Sequence, residues 1–186
     1  MIVGIFVGGR SSRMGGAPKG LLPAPDGAGS LVERLARVAH QAVPFARVLL
    51  VGEAAPYAHL GLPTLADAVT GAGPIGGLLA LLEAGEQRII ALSCDLPYLE
   101  PALVERLLHH APERAAVAPR IDGRWEPLCA RYDAAESSAA VRATLAASER
   151  SLQRVFARLG ERAEELPLAP GEREELRDWD RPEDVT

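Results

Sequence analysis

Residues 8 to 20, Gly8-Gly9-Arg10-Ser11-Ser12-Arg13-Met14-Gly15-Gly16-Ala17-Pro18-Lys19-Gly20, follow directly on the apolar run of residues 2 to 7 and combine glycines with cations. Glycines let a backbone turn tightly and approach a ligand, and exposed backbone N–H groups then join Arg13 and Lys19 in holding negative charge. The chemistry this suits is the binding of a triphosphate. Two familiar phosphate loops are excluded by spacing: no Ser or Thr follows Lys19 in Walker fashion, and Gly-x-Gly-x-x-Gly is absent from this loop.

A carboxylate stands ready for the metal that a triphosphate requires. Ser93-Cys94-Asp95-Leu96-Pro97-Tyr98 follows a β-branched and apolar run, which puts Asp95 at the carboxyl end of a strand, on the sheet edge that also carries the glycine loop. Magnesium takes hard oxygen ligands and is commonly held by one or two carboxylates plus substrate phosphates and water. Asp95 fits as its ligand; Asp-Leu-Pro also reads as a turn leading into a helix.

Other candidates carry less chemistry. Gly71-Ala72-Gly73-Pro74-Ile75-Gly76 spells Gly-x-Gly-x-x-Gly, but without a first βαβ unit around it, and its glycines also suit close packing of a helix on a sheet. His40, His59, His109 and His110 are scattered, and the adjacent pair does not share a helical face. Cys94 reads as a small buried residue rather than a nucleophile.

Alternating strands and helices must position these groups. Residues 2 to 7 form the first strand; Ser30-Leu31-Val32-Glu33 has capping-box spacing and opens a helix to about residue 42. Arg47 to Val51 is a second strand, and Gly73-Pro74 opens a Leu/Ala-rich helix that stops near Gly85. Arg88 to Ser93 is a central strand and Pro101 begins the next helix. Residues 115 to 118 and 128 to 132 are shorter strands, Asp133 caps a helix to about residue 146, and another follows Ser151. This rhythm predicts an α/β fold of three layers, a mostly parallel sheet with helices on both faces. Residues 23 to 29, Pro-Ala-Pro-Asp-Gly-Ala-Gly, read as a mobile loop beside the site.

The 186 residues suit one domain spanning 1–186 with a full core. A net charge of −5 argues against a nucleic-acid surface and for a small-molecule partner. Two distant cysteines suit a reducing cytoplasm, no targeting signal is evident, and no segment approaches the roughly 20 apolar residues that span a bilayer.

The pattern Gly-Gly-x-x-x-Arg-Met-Gly-x-x-x-Lys at residues 8 to 19 resembles the loop of nucleotidyltransferases that activate sugars, lipids and cofactors, and Phe-Val-Gly-Gly-Arg-Ser-Ser-Arg-Met-Gly-Gly-Ala-Pro-Lys-Gly-Leu-Leu is similar to the MobA family, the molybdenum cofactor guanylyltransferases. Gly73-Pro74-Ile75-Gly76-Gly77, Cys94-Asp95-Leu96-Pro97-Tyr98 and the closing Pro182-Glu183-Asp184 occur in family order. The resemblance implies a Rossmann-like, GT-A-like nucleotidyltransferase fold and transfer of GMP from GTP to molybdenum-bearing molybdopterin, with release of pyrophosphate. It implies nucleotide contacts from Val7, Gly8, Gly9, Lys19, Gly52, Asp67 and Asp95, catalysis by Arg13, Lys19 and Asp95, and Mg2+ on Asp95 and Asp180. It also implies that Trp125-Glu126-Pro127-Leu128 helps form the acceptor side of the cleft. Trp125 reads equally as core or interface, Asp67 as a turn residue, and Asp180 as the cap of a helix begun by Pro182.

Several positions depart from the family. Pro18 stands where an acidic residue is common, Gly52-Glu53 where an asparagine is, Asp178 and Asp180 where asparagines are, and Arg181 where a threonine is usual. Gly8-Gly9 in place of the Ala-Gly of cytidylyl enzymes favours GTP, since a larger base leaves less room for a methyl group. The alternatives are a CTP-dependent molybdopterin cytidylyltransferase, another small-molecule phosphate nucleotidyltransferase, and a non-catalytic nucleotide- or cofactor-binding module. A molybdoenzyme or pterin-delivery protein is the expected transient partner.

Overall fold

In the computed structural model, residues 1–7, 18–179 and 184 are described. The Ile/Val-rich segments form the centre of the sheet because strands covered on both faces are apolar throughout: β1 (Ile2–Phe6) is wholly buried, and β2 (Arg47–Val51) and β4 (Arg88–Ser93) nearly so. With β3 (Thr64–Leu65), β5 (Ala116–Ala118), β8 (Cys129–Asp133) and β9 (Ala163–Glu165) they make a seven-stranded sheet of order β3-β2-β1-β4-β8-β5-β9. β1 pairs in parallel with β2 and with β4, while β8 runs antiparallel to β4 and β5. The sheet is therefore mostly parallel, as expected.

Strand alternation sends successive side chains to opposite faces, and each face has its own helices. Val3, Ile5, Leu50 and Ile90 pack with Val32 and Leu35 of α1 (Leu31–Ala42) and with Leu103 and Leu107 of α3 (Pro101–His109). Ile2, Phe6, Val51 and Ile89 pack with α2 (Pro74–Leu82), α4 (Ala134–Ala146) and α5 (Leu152–Leu159) through Leu78, Val141 and Phe156. The three layers of the sequence reading are these.

Helix starts follow local chemistry. Ser30 and Glu33 form the full capping box, with Ser30 N–H donating to Glu33 Oε2 at 2.8 Å. Asp133 Oδ1 accepts from Glu136 N–H at 3.1 Å at the start of α4. Pro74 and Pro101 occupy first turns, where the missing N–H leaves no helix bond unmade.

Three features add to this outline. The stretch from Pro23 to Gly29 is a hydrogen-bonded turn: Ala24 N–H donates to Gly29 O at 2.8 Å, Gly27 N–H to Ala24 O at 2.9 Å, and Ala24 is buried against Leu31 and Trp179. A hairpin of β6 (Arg120–Ile121) and β7 (Arg124–Trp125) turns at Asp122 and Gly123, whose φ values of 50° and 77° are those the Asp-Gly dipeptide favours in a tight hairpin. β9, reading Ala-Glu-Glu, pairs at the sheet edge, where exposure removes the apolar pattern of a strand. A short α6 (Glu172–Glu175) precedes the last described segment.

Candidate functional site

Chain direction explains where the site lies. From β1 the chain passes to β2 and β3 on one side, then returns through α2 to β4 on the other side of β1. The carboxyl ends of β1 and β4 thus flank a topological switch point, the usual ligand crevice of an open α/β sheet. Beyond their last paired residues, Phe6 and Ser93, the two strands stay joined by Cys94 N–H donating to Phe6 O at 3.1 Å. Gly8, Gly9, Arg10 and Arg13 lie outside the described residues, as does Asp180.

Lys19 and Asp95 meet at this crevice although 76 residues separate them: Lys19 Nζ lies 3.4 Å from Asp95 Oδ2. Ser93 Oγ donates to the other oxygen, Asp95 Oδ1. Trp179 N–H donates to the Asp95 carbonyl at 3.1 Å, and Ser93 N–H to Leu128 O at 2.6 Å, so the aspartate is anchored from two sides. The Asp-Leu-Pro turn and the candidate ligand are the same piece of chain, and α3 begins shortly after it.

A cavity of about 490 Å3 opens at the switch point and is walled by Val7, Lys19, Gly52, Asp67 and Asp95. Every described residue that the sequence singled out for nucleotide contact is among its walls. Lys19 and Asp95 stand at the β1/β4 end, whereas Gly52, Glu53 and Asp67 follow β2 and β3. Burial raises the half-buried Asp67 carboxyl above its ordinary range.

The Gly-Pro segment serves the cavity in two ways. Gly73 and Pro74 line it directly. Gly76 and Gly77 instead let α2 press on the Asp67 segment: a Cβ on Gly76 would fall 2.5 Å from the Val69 carbonyl oxygen, and one on Gly77 3.0 Å from Asp67 Oδ1. Both readings of the segment therefore hold, each for different glycines.

A second cavity, of about 460 Å3, shares Ser93, Asp95 and Leu128 with the first and is bordered by Glu126, Arg177 and Asp178. Burial, reinforced by the negative charge of Asp178 and Asp95, pushes the Glu126 carboxyl up to about 7. Of the two readings of Trp125, the structure favours packing: the ring stacks on Phe156 at 4.6 Å, lies beneath the Arg120 guanidinium and packs, partly buried, against the core. Glu126 and Leu128 border this second cavity, as the resemblance implies for residues 125 to 128, while Ser93, Glu53 and Asp178, which stood in the motifs without a role of their own, also line the two cavities.

The donor set suits a hydrated magnesium ion. Asp95 offers a carboxylate beside a hydroxyl, and among the described residues no group of three or more His, Cys, Asp or Glu forms a closed metal cage. The first cavity has Lys19 as a cation against Asp67, Asp95 and Glu53 among its described walls, so a bound triphosphate would call for further positive charge. Cys94 is buried, and burial with the Asp95 charge pushes its thiol up to about 12, which removes it as a nucleophile. Both cysteines are free, and among the described residues no helix is long and apolar enough to cross a membrane.

The MobA-like NTP transferase domain matches residues 3–164. A molybdenum cofactor guanylyltransferase of Mesorhizobium japonicum is 36% identical over 137 residues, covering 69% of this chain and 64% of that protein. A probable molybdenum cofactor guanylyltransferase of Mycobacterium avium is 33% identical, covering 70% of this chain and 68% of its own length. The match with the Mesorhizobium relative thus spans slightly less than two thirds of its length. In fold, the chain superposes on the molybdopterin-guanine dinucleotide biosynthesis protein A of Archaeoglobus fulgidus with a TM-score of 0.78 at 20% identity, covering 100% of this chain and 95% of the other. The 2-C-methyl-D-erythritol 4-phosphate cytidylyltransferase of Thermus thermophilus gives 0.68 at 19% identity, covering 98% and 94%. By its domain match and by its relatives, the chain belongs to the MobA-like NTP transferase family.

Proposed function

We propose that the protein transfers GMP from GTP to molybdenum-bearing molybdopterin, forming the guanine dinucleotide cofactor and releasing pyrophosphate. The observation that carries this reading is the meeting of Lys19 and Asp95 where two cavities join at the sheet's switch point. A nucleotide in one cavity and a phosphate-bearing acceptor in the other would then react beside Asp95.

In the first cavity the triphosphate belongs at the Lys19 end, and the nucleoside at the end of Gly52, Glu53 and Asp67. The carboxylates there suit guanine, whose N1–H and 2-amino groups donate hydrogen bonds, and suit ribose hydroxyls as well. Cytosine offers one amino donor on its pairing edge and is matched less well.

A terminal phosphate oxygen of the acceptor attacks the α-phosphorus of GTP; a new P–O bond forms, and the bond to the β-phosphate oxygen breaks with its electrons leaving on pyrophosphate. No protein nucleophile is required. Alignment and neutralisation of developing charge lower the barrier. Lys19 balances charge on the phosphates, and Ser93 orients the Asp95 carboxylate. Magnesium held by Asp95 would supply Lewis-acid polarisation of the phosphoryl oxygens. Arg13 and Asp180 retain the catalytic and metal-binding roles that the family resemblance implies.

The reading places the protein in the cytoplasm, with a molybdoenzyme or pterin-delivery protein as transient partner. Titration calorimetry with GTP, CTP, ATP and UTP, each with Mg2+, followed by an assay of GMP transfer to molybdopterin, tests it. Selective GTP binding and transfer support the reading. Preference for CTP overturns it in favour of a cytidylyltransferase, and tight GTP binding without transfer in favour of a binding module.

A further inference from the structure

Glu126 is held by its backbone and left open at its side chain. Its N–H donates to Pro119 O at 3.0 Å and its carbonyl accepts from Cys129 N–H at 3.0 Å. The neighbouring carbonyls are tied as well: Tyr132 Oη donates to Pro127 O at 2.7 Å and Gln153 Nε2 to Trp125 O at 2.7 Å. Yet among the described residues the Glu126 carboxylate makes no hydrogen bond or ion pair; Asp178 and Asp95 repel its charge, and Arg124 attracts it from beyond bonding distance. A half-buried carboxylate without a donor is unfavourable in the free protein. Glu33 is engaged in a helix cap and Glu172 with Arg106, whereas Asp67 of the first cavity shares with Glu126 a position governed by burial.

The cavity that receives Glu126 also presents Ile121, Leu128, Leu152 and Leu176. Charged residues, among them Arg173, Arg177 and Asp178, complete its lining. Apolar side chains beside a carboxylate that makes no hydrogen bond among the described residues suit a flat heterocycle with paired N–H donors on one edge. A 2-amino-4-oxopyrimidine ring has this edge, since its 2-amino group and N3–H point the same way and match the two oxygens of a carboxylate, as a guanidinium does.

Resting on the guanylyltransferase reading, we propose that Glu126 is a specificity-determining residue for the acceptor, accepting paired hydrogen bonds from the amino-pyrimidinone edge of its pterin. The ring lies in the second cavity, and the phosphate it carries extends toward Asp95. Elevation of the Glu126 carboxyl to about 7 accords with this, because burial and the charges of Asp178 and Asp95 disfavour its ionised form, which paired N–H donors of a ligand would favour.

The probes are 6-hydroxymethylpterin monophosphate and its lumazine counterpart, in which an oxygen replaces the 2-amino group. Binding of each is followed by fluorescence with Mg2+ and a non-hydrolysable GTP analogue, for wild type, Glu126→Gln and Glu126→Ala. The wild type is expected to prefer the pterin at least about tenfold, the worth of one charged hydrogen bond. Glu126→Gln is expected to lose or reverse that preference, because its amide N–H2 donates to the lumazine oxygen, and Glu126→Ala to discriminate little; all three bind GTP alike. Equal binding of the two probes by wild type, binding of neither, or a preference retained in Glu126→Gln overturns the proposal. The readout needs no turnover, so failure of wild type to transfer GMP to molybdopterin refutes the guanylyltransferase reading separately.

Discussion

Trp179 N–H donates to the carbonyl oxygen of Asp95 at 3.1 Å, so the last described segment of the chain is tied to the residue that follows β4. The Trp179 ring is buried against Ala24 and Leu31 and meets Tyr98 edge to face at 6.2 Å. The closing segment, the turn of residues 23 to 29 and the Asp95 turn therefore form one packed unit beside the candidate site.

Removing the ring should loosen that unit. Trp179→Ala is expected to cost about 3–5 kcal/mol in urea unfolding, within the range for large aromatic deletions. Trp179 Nε1 has no hydrogen-bond partner among the described residues, so Trp179→Phe, which keeps most of the packing and removes an unpaired donor, should lose less than half as much. Equal losses in both variants would show that the indole N–H has a partner.

Asp95→Ala should abolish GMP transfer while leaving the thermal unfolding midpoint within a few degrees of wild type, since the side chain faces the cavities. Chelation of divalent metal should mimic this in wild type, with Mg2+ restoring activity. Near-normal turnover of Asp95→Ala would remove the residue from the mechanism.

Lys19→Ala removes the cation that meets Asp95 in the first cavity. GTP should bind more weakly and transfer should slow by roughly 100-fold or more, the scale on which loss of one charge-stabilising donor acts. An unchanged GTP affinity in calorimetry would place the ammonium group outside the triphosphate subsite.

Gly76→Ala tests the support of Asp67. The added methyl would lie 2.5 Å from the Val69 carbonyl oxygen, a backbone atom that yields only by moving the loop. A loss of about 1–3 kcal/mol is expected from overpacking, together with weaker nucleotide binding because Asp67 shifts. Unaltered GTP affinity in a destabilised variant would separate Asp67 from the nucleotide.

The Glu126 carboxyl gives stability a pH dependence of known sign. Its pKa in the folded protein, about 7, lies above the 4.5 of an unperturbed glutamate, so between these values the folded state holds more protons than the unfolded state. The stabilisation from this group is complete below about pH 4.5 and is lost as pH rises through about 7. Urea unfolding of wild type and Glu126→Gln across pH 4 to 8 isolates it: the difference should change in that window, with wild type losing stability relative to the variant. A constant difference would mean that Glu126 has an ordinary carboxylate environment.

Local chemistry made much of this protein legible in sequence. Residues 48–51 and 89–92 are apolar because both faces of their strands are covered, and the polar Arg47, Arg88 and Ser93 mark strand ends. Ser30 with Glu33, Pro74 and Pro101 mark helix starts through backbone groups within one turn, and the cations and glycines of residues 8 to 20, with Asp95, announce phosphate chemistry before any fold is known. Tertiary structure decided what distance in the chain conceals. β9 is a strand because β5 offers it an edge, not because Ala-Glu-Glu favours one. Lys19 meets Asp95 because β1 and β4 are neighbours, and Glu126 joins Asp178 beside them because β8 is inserted antiparallel next to β4. Periodicity and capping act over a few residues and are written in order along the chain. Strand order is settled by which faces bury together, and it alone brought the site's residues into one crevice.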